Sequence, residues 1–251
     1  MRAPWYWPRP VARRRERAPG GGRARAAGGV PVINGGAAAL DAAAVARLLE
    51  DDRFRYLSEM MNWPGVLQQD PEVMAKIAAA KRLGKPVDGH APGLRGEDAA
   101  RYAAAGITTD HECFTLEEAR DKAKAGIKIL IREGSAARNL EAIWSILTEF
   151  PHLAMFSTDD AHPDDLVKGH LDRVVARCVA HGVDVFDVLR AACLHPVEHY
   201  GLDVGLLREG DRADFILVDD LVAEDLFDDV LERDDALHHI PRVARSAVVD
   251  I

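Results

Sequence analysis

The sequence predicts an α/β protein in which short parallel strands alternate with crossover helices. Three observations carry this reading. Six β-rich runs fall between Val30 and Asp159, and a helix-patterned stretch follows each; such alternation is the signature of parallel β/α units. Several of those helices open on recognisable capping residues. The chain has 251 residues, 48% of them hydrophobic and 29% charged, enough to bury a core. On pattern alone, a doubly wound sheet and a β/α barrel both remain open.

Val30-Pro-Val-Ile-Asn34 is the first run, ended by Gly35-Gly36. A helix over 40–50 follows, with Asp41 as its cap and Val45, Leu48 and Leu49 on its apolar face. Arg55 to Met61 is the second run. Asp70-Pro71 opens a helix that reaches Leu83, with proline at the position that tolerates it. Pro86 to His90 is the third run, and 95–105 is helical. Gly106 to His111 is the fourth run. Thr115-Leu-Glu-Glu118 reads as a capping box for the next helix. Ile127 to Arg132 is a nearly continuous apolar run, 139–150 is helical, and Leu153 to Asp159 is the sixth run. Helices over 164–180 and 184–193 come next, the second ending near Pro196. Residues 205–219 read as two strands around a Gly-Asp turn.

Residues 1–29 stand apart. They hold eight arginines, one glutamate, four prolines and five glycines, with no apolar periodicity. Their charge of +7, against −9 for the whole chain, leaves about −16 on the rest. Such a leader cannot bury enough surface to offset its ordering entropy, so a disordered tail is expected; a transit peptide or polyanion-binding arm is the competing reading. The acidic body argues against a nucleic-acid surface, which needs clustered Lys and Arg. No run of about 18 apolar residues occurs, so no membrane span is expected. Cys113, Cys178 and Cys193 are too few and too scattered for a disulfide framework, which fits a cytoplasmic setting.

The polar residues at the run ends point to chemistry. Glu59, His90, His111 and Asp159 close or nearly close four of the runs. In a parallel β/α array all strand C-termini lie on one face, where active sites are built. Neutral imidazoles with hard carboxylate oxygens suit a divalent metal. Asp159 and Asp160 are paired carboxylates of the kind used for proton transfer. Arg132-Glu-Gly-Ser135 ends the fifth run and is a candidate substrate contact. His195 and His199 lie off this set and read as helix-end structure. Phosphate-cradling glycine motifs, H-E-x-x-H and G-x-S-x-G do not occur.

Several longer motifs, taken in order, resemble one family. Glu59-Met-Met-Asn-Trp-Pro-Gly-Val66, Gly84-Lys-Pro-Val-Asp-Gly-His-Ala-Pro-Gly-Leu-Arg-Gly96, Thr109-Asp-His-Glu-Cys-Phe-Thr115, Ile131-Arg-Glu-Gly-Ser-Ala136 and Thr158-Asp-Asp-Ala-His-Pro-Asp-Asp165 are similar to the bacterial and archaeal adenine deaminases of the amidohydrolase superfamily. His199-Tyr-Gly201 and Gly210-Asp-Arg-Ala-Asp214 join them, so the likeness spans roughly 30–220. It implies an incomplete (β/α)8 TIM-type barrel over 30–202, with the start of a small β-rich accessory domain over 203–251. It implies a binuclear site for Mn2+ or Fe2+, and hydrolysis of adenine to hypoxanthine and ammonia, a purine-salvage step.

By the same resemblance Glu59 is the bridging carboxylate. His90 and His111 are metal ligands, and Asp159 both touches metal and shuttles protons. Arg132, Glu133, Asp160 and His162 are purine or supporting contacts. Adenine is the expected partner, with no nucleic acid or membrane, and a homo-oligomer is compatible with the family. One departure accompanies the likeness. The family's first strand ends in His-x-His, and no His-x-His occurs in this sequence. A catalytically inactive fragment, or another amidohydrolase of cyclic amidines or amides, is therefore the alternative reading.

Overall fold

The computed structural model describes residues 40–214. The first run at Val30, the basic leader and residues 215–251, with the end of the predicted hairpin, therefore lie outside the described residues. Among the described residues the strands form one five-stranded sheet in the sequence order β1 to β5, and helices lie between successive strands. This α/β arrangement is consistent with part of a (β/α)8 barrel.

The chain divides into two compact units at Leu130/Ile131. In the first, α1 (Ala42–Leu49) starts where Asp41 accepts the Ala44 N–H at 2.7 Å. Strand β1 (Leu57–Met60) follows. Helix α2 (Trp63–Leu67) was not predicted. Asn62 caps it by accepting the Gly65 N–H, and Pro64 occupies the first turn. Helix α3 (Pro71–Arg82) opens on Asp70, which accepts from Glu72 and Val73. Then come β2 (Val87–Gly89), α4 (Gly96–Ala105), β3 (Thr109–Asp110), α5 (Leu116–Lys124) and β4 (Lys128–Arg132), the last of which crosses the division. The apolar faces of these elements meet in a core that includes Val45, Leu49, Leu57, Ile77, Val87 and Ile127.

The capping box at Thr115 is only half formed. Thr115 accepts the Glu118 N–H at 3.2 Å as expected. The Glu118 carboxylate, however, turns to the N–H groups of Phe114 and Gly93.

The second unit departs more from expectation. The helix predicted over 139–150 is two short ones, α6 (Leu140–Ile143) and α7 (Ile146–Glu149). Between them Trp144 and Ser145 accept the Leu147 and Thr148 N–H groups three residues on, which tightens the turn. After β5 (Ala154–Ser157), the helix predicted over 164–180 is split into α8 (Pro163–Leu166) and α9 (Leu171–Ala180). Gly169 separates them at φ +143°, a conformation no helix contains. Helix α10 (Val185–Leu189) runs into a π turn over Arg190–Leu194 and then into α11 (His195–Tyr200). The wide turn lets the helix pass Pro196, whose ring would clash in a regular one. Residues 205–214 form no strand. Asp211 accepts the N–H groups of Leu206 and Arg208, closing a side-chain turn where a ladder was expected. No described helix is long and apolar enough to cross a membrane.

Candidate metal centre

In the first unit, backbone register brings three of the predicted residues together. Gly89 pairs with Asp110 across β2 and β3, so the next residues, His90 and His111, leave the sheet side by side. Gly89 itself is dictated by this closeness: a Cβ there would lie 2.4 Å from the Thr109 carbonyl oxygen. Strand β1 carries one more residue than β2 between their paired ends, Leu57↔Val87 and Met60↔Gly89. That bulge falls at Ser58–Glu59, and bulges re-aim side chains beside active sites.

The result is a tight cluster. His90 Nδ1 lies 3.0 Å from Glu59 Oε2, and His111 Nε2 lies 3.4 Å from the same oxygen. The two imidazole nitrogens are 3.3 Å apart. Glu112 Oε1 is 3.5 Å from both. Glu112 was not predicted, and only 7% of its side chain is exposed. Donors held about 2.1 Å from one ion at tetrahedral or octahedral angles are about 3.0–3.4 Å apart, which is the spacing seen. Two ring nitrogens facing each other and one carboxylate oxygen also call for a shared cation or proton. Glu59, His90 and His111 therefore fit a divalent metal, and Glu112 lies beside them.

The electrostatics agree. Hydrogen bonds from His111 and then His90 hold the Glu59 carboxyl well below the usual carboxylate range, against the opposing effect of burial. Burial would lower the His111 pKa, but Glu59, Asp110 and Glu112 outweigh it and raise it. The two shifts stabilise the metal-free fold in opposite pH ranges. The Glu59 contribution is present above its unfolded pKa and is lost as pH falls through the lowered one. The His111 contribution is present below its unfolded pKa and is lost as pH rises through the raised one. The metal-free protein is thus expected to gain most from this pair between about pH 4.5 and 6.5. Thermal melts of chelator-treated protein from pH 3 to 9 check this; a stability maximum displaced above pH 8 would contradict it.

Tyr102 ties two of the three ligand segments together. Its fully buried hydroxyl donates to the Met60 carbonyl at 2.7 Å and accepts the His90 N–H at 3.2 Å. Burial raises its pKa well above the ordinary phenol range, so it stays a donor. Tyr102→Phe leaves both backbone groups without this hydroxyl. It is expected to destabilise the protein by about 1–3 kcal/mol, measurable by denaturant unfolding.

In the second unit Asp159 sits two residues beyond β5 with φ +51°, one of three non-glycine residues at positive φ among those described. Aspartate tolerates this region better than most residues, and such strain concentrates at functional positions. Its Oδ2 accepts from the Arg132 guanidinium at 2.8 Å. The Arg132 side chain is buried, and its backbone N–H is held by Asn139 Oδ1 at 2.7 Å. Glu133 is turned away from a simple substrate role. Its carboxylate accepts the Leu140 N–H and pairs with Arg177. Asp160 and His162 are exposed. Their loop is pinned by Ser135, whose N–H donates to Asp160 O and whose Oγ accepts the His162 N–H and donates to Asp165. The Asp159-Asp160 pair does not cap α8, whose N-cap is His162. His195 is structural as expected: its Nδ1 donates to the Ala154 carbonyl at 2.9 Å.

Imidazoles and carboxylates gathered at the C-terminal ends of parallel strands on an α/β sheet are the donor set of a candidate divalent-metal site. The chain belongs to the Amidohydrolase family, whose model matches residues 11–250; this family is metal-dependent. The adenine deaminase of Salinibacter ruber is 57% identical over 209 residues, covering 82% of this chain and 38% of that protein. That of Methanosarcina acetivorans is 59% identical over 183 residues, 72% of this chain and 33% of its own length. That of Borreliella afzelii is 45% identical over 213 residues, 82% and 39%. The chain therefore spans only about a third to two fifths of the curated relatives it matches.

Proposed function

We propose that this chain carries out, or contributes to, hydrolytic deamination of adenine to hypoxanthine and ammonia. The observation that supports it most is the Glu59–His90–His111 cluster, in a chain similar to three adenine deaminases at 45–59% identity. Glu59, His90 and His111 would hold a divalent ion, with Mn2+ or Fe2+ the expected metal. When bound, such an ion lowers the pKa of water toward neutrality and supplies a nucleophile.

This chain's own residues would do the rest. Asp159 would accept the proton of the attacking water and return it to the departing amine, a general acid–base role. The resemblance also gives Asp159 a metal contact. Arg132 would orient Asp159 through the 2.8 Å ion pair, a contact its burial makes hard to screen. Glu133, Asp160 and His162 are proposed purine or supporting contacts, Glu133 acting through its ion pair with Arg177.

The test is metal content and ammonia release from adenine on one purified, manganese-supplemented sample. Ammonia release that depends on adenine and metal supports the deaminase reading. Bound metal without ammonia supports the second reading, a metal site that does not turn over adenine on its own. The lack of a His-x-His in this sequence favours that second reading. No bound metal and no ammonia overturns both.

A further inference from the structure

Behind the metal cluster lies a second group of charges that the proposed chemistry does not use. Lys122 on α5 and Asp110 on β3 are both fully buried, and the Glu118 side chain is 3% exposed. Lys122 Nζ donates to Glu118 Oε1 at 2.8 Å and to the Ala91 carbonyl at 2.7 Å, and lies 3.3 Å from Asp110 Oδ2. An ammonium has three donors, and these partners surround it. Burial alone would favour the neutral amine, but Asp110 first and then its other neighbours, Glu118 among them, together outweigh it and raise its pKa.

The two carboxylates carry this charge outward to the ligand loops. Asp110 Oδ2 accepts the Ala91 N–H at 2.9 Å and its Oδ1 accepts the Glu112 N–H at 2.8 Å. Glu118 Oε1 accepts the Gly93 N–H at 2.7 Å and its Oε2 accepts the Phe114 N–H at 3.1 Å. The pattern is the same on both loops. Asp110 takes the N–H one residue after His90 and one residue after His111. Glu118 takes the N–H three residues after each. One buried cation thus holds both carboxylates, and together they hold both histidine loops in a fixed relation.

We propose that Lys122 is a positioning residue for the metal centre, setting the separation of His90 and His111 through Asp110 and Glu118. It touches none of the three proposed ligands' side chains. The proposal rests on the metal reading above, but its mechanical part does not. Removing the ammonium leaves two buried carboxylates facing each other, so one must move or take a proton. Either change releases backbone N–H groups on both loops at once.

The test uses the full chain as wild type, Lys122→Met, and Ile77→Ala as a control. Ile77 is a buried core residue on α3 with an apolar side chain, so its truncation destabilises without removing a member of the hydrogen-bond network. Amide exchange is measured on metal-free protein, then Mn2+ affinity and the Mn2+ electron paramagnetic resonance line shape. Lys122→Met is expected to lose protection at Ala91, Gly93, Glu112 and Phe114 together. Its Mn2+ affinity should fall at least tenfold, the scale seen when supporting contacts of ligands are removed, and its resonance lines should broaden. Ile77→Ala should keep the wild-type affinity and line shape. Unchanged protection at the four amides, or Mn2+ affinity within twofold of wild type, overturns the proposal. So does an equal loss of affinity in Ile77→Ala, which would make the effect one of stability alone. If Lys122→Met does not fold, Glu118→Gln takes its place with the same outcomes, because its amide cannot accept from both Gly93 and Phe114. If the wild type takes up no Mn2+, the metal reading fails, and the exchange measurement still decides whether Lys122 positions the loops.

Discussion

Under the proposed deamination, Asp159→Asn is expected to reduce adenine turnover on the order of 10²–10⁴-fold, the usual contribution of a positioned acid–base group, while bound metal changes little. The substitution keeps size and shape. Asparagine tolerates a positive φ about as well as aspartate, so the +51° backbone at this position is not disturbed. The amide oxygen can still accept from Arg132, which lies 2.8 Å from Asp159 Oδ2 in the native protein. What disappears is the basic oxygen and the negative charge that offsets a buried guanidinium. The melting temperature should therefore drop as well, because the buried Arg132 guanidinium loses its counter-charge. Steady-state ammonia release and metal analysis on the same preparation check the prediction. A turnover within threefold of wild type would remove Asp159 from proton transfer.

The parts of this molecule that were legible in its sequence are those set by short-range chemistry. The caps at Asp41, Asp70 and Thr115 each accept the N–H groups that the helix start leaves over, and proline at 71 marks its helix without help from tertiary contacts. The strand β4 read as an apolar run because four of its five residues are buried. The site was legible for a related reason. Strand C-termini of a parallel β/α array share one face, so Glu59, His90 and His111 stood out as ligand-type residues at successive strand ends.

What escaped depends on longer-range geometry. Glu112 follows His111 where the strand has ended, so the alternation of faces no longer says where its side chain goes. Its burial comes from Asp110 seizing its N–H at 2.8 Å. The Lys122 network was invisible because lysine and glutamate four residues apart on a helix usually form a solvated pair, whereas here the pair is buried. Gly169, at φ +143°, and Pro196, which a π turn accommodates, are local breakers that the helical periodicity of their stretches masked. The irregular segment over 205–214 illustrates the opposite failure. It was read as strand together with the apolar residues that follow it, yet Asp211 and Asp214 supply side-chain acceptors to N–H groups that a ladder would otherwise have used.

Glu59→Gln should have the largest effect on metal. Glu59 Oε2 is the one oxygen that both histidines approach, at 3.0 Å and 3.4 Å. The substitution preserves the side-chain shape and removes one unit of negative charge from the centre of the donor set. It also presents each imidazole with a choice between an amide oxygen and an amide N–H. Only one of the two can face the oxygen that both now share. Mn2+ affinity is therefore expected to fall by about 10²-fold or more, beyond the 10–100-fold typical of supporting contacts, because this carboxylate is placed among the ligands. The metal-free protein should respond as well. His111 owes its raised pKa in part to Glu59, so in Glu59→Gln its stabilising contribution should be lost at lower pH than in the wild type. Isothermal titration with Mn2+ and the pH dependence of the melting temperature measure the two effects independently. Wild-type affinity in the variant would exclude Glu59 from the metal site. A lost affinity with an unshifted pH profile would keep Glu59 as a ligand but end the ion pair with His111 as a source of stability.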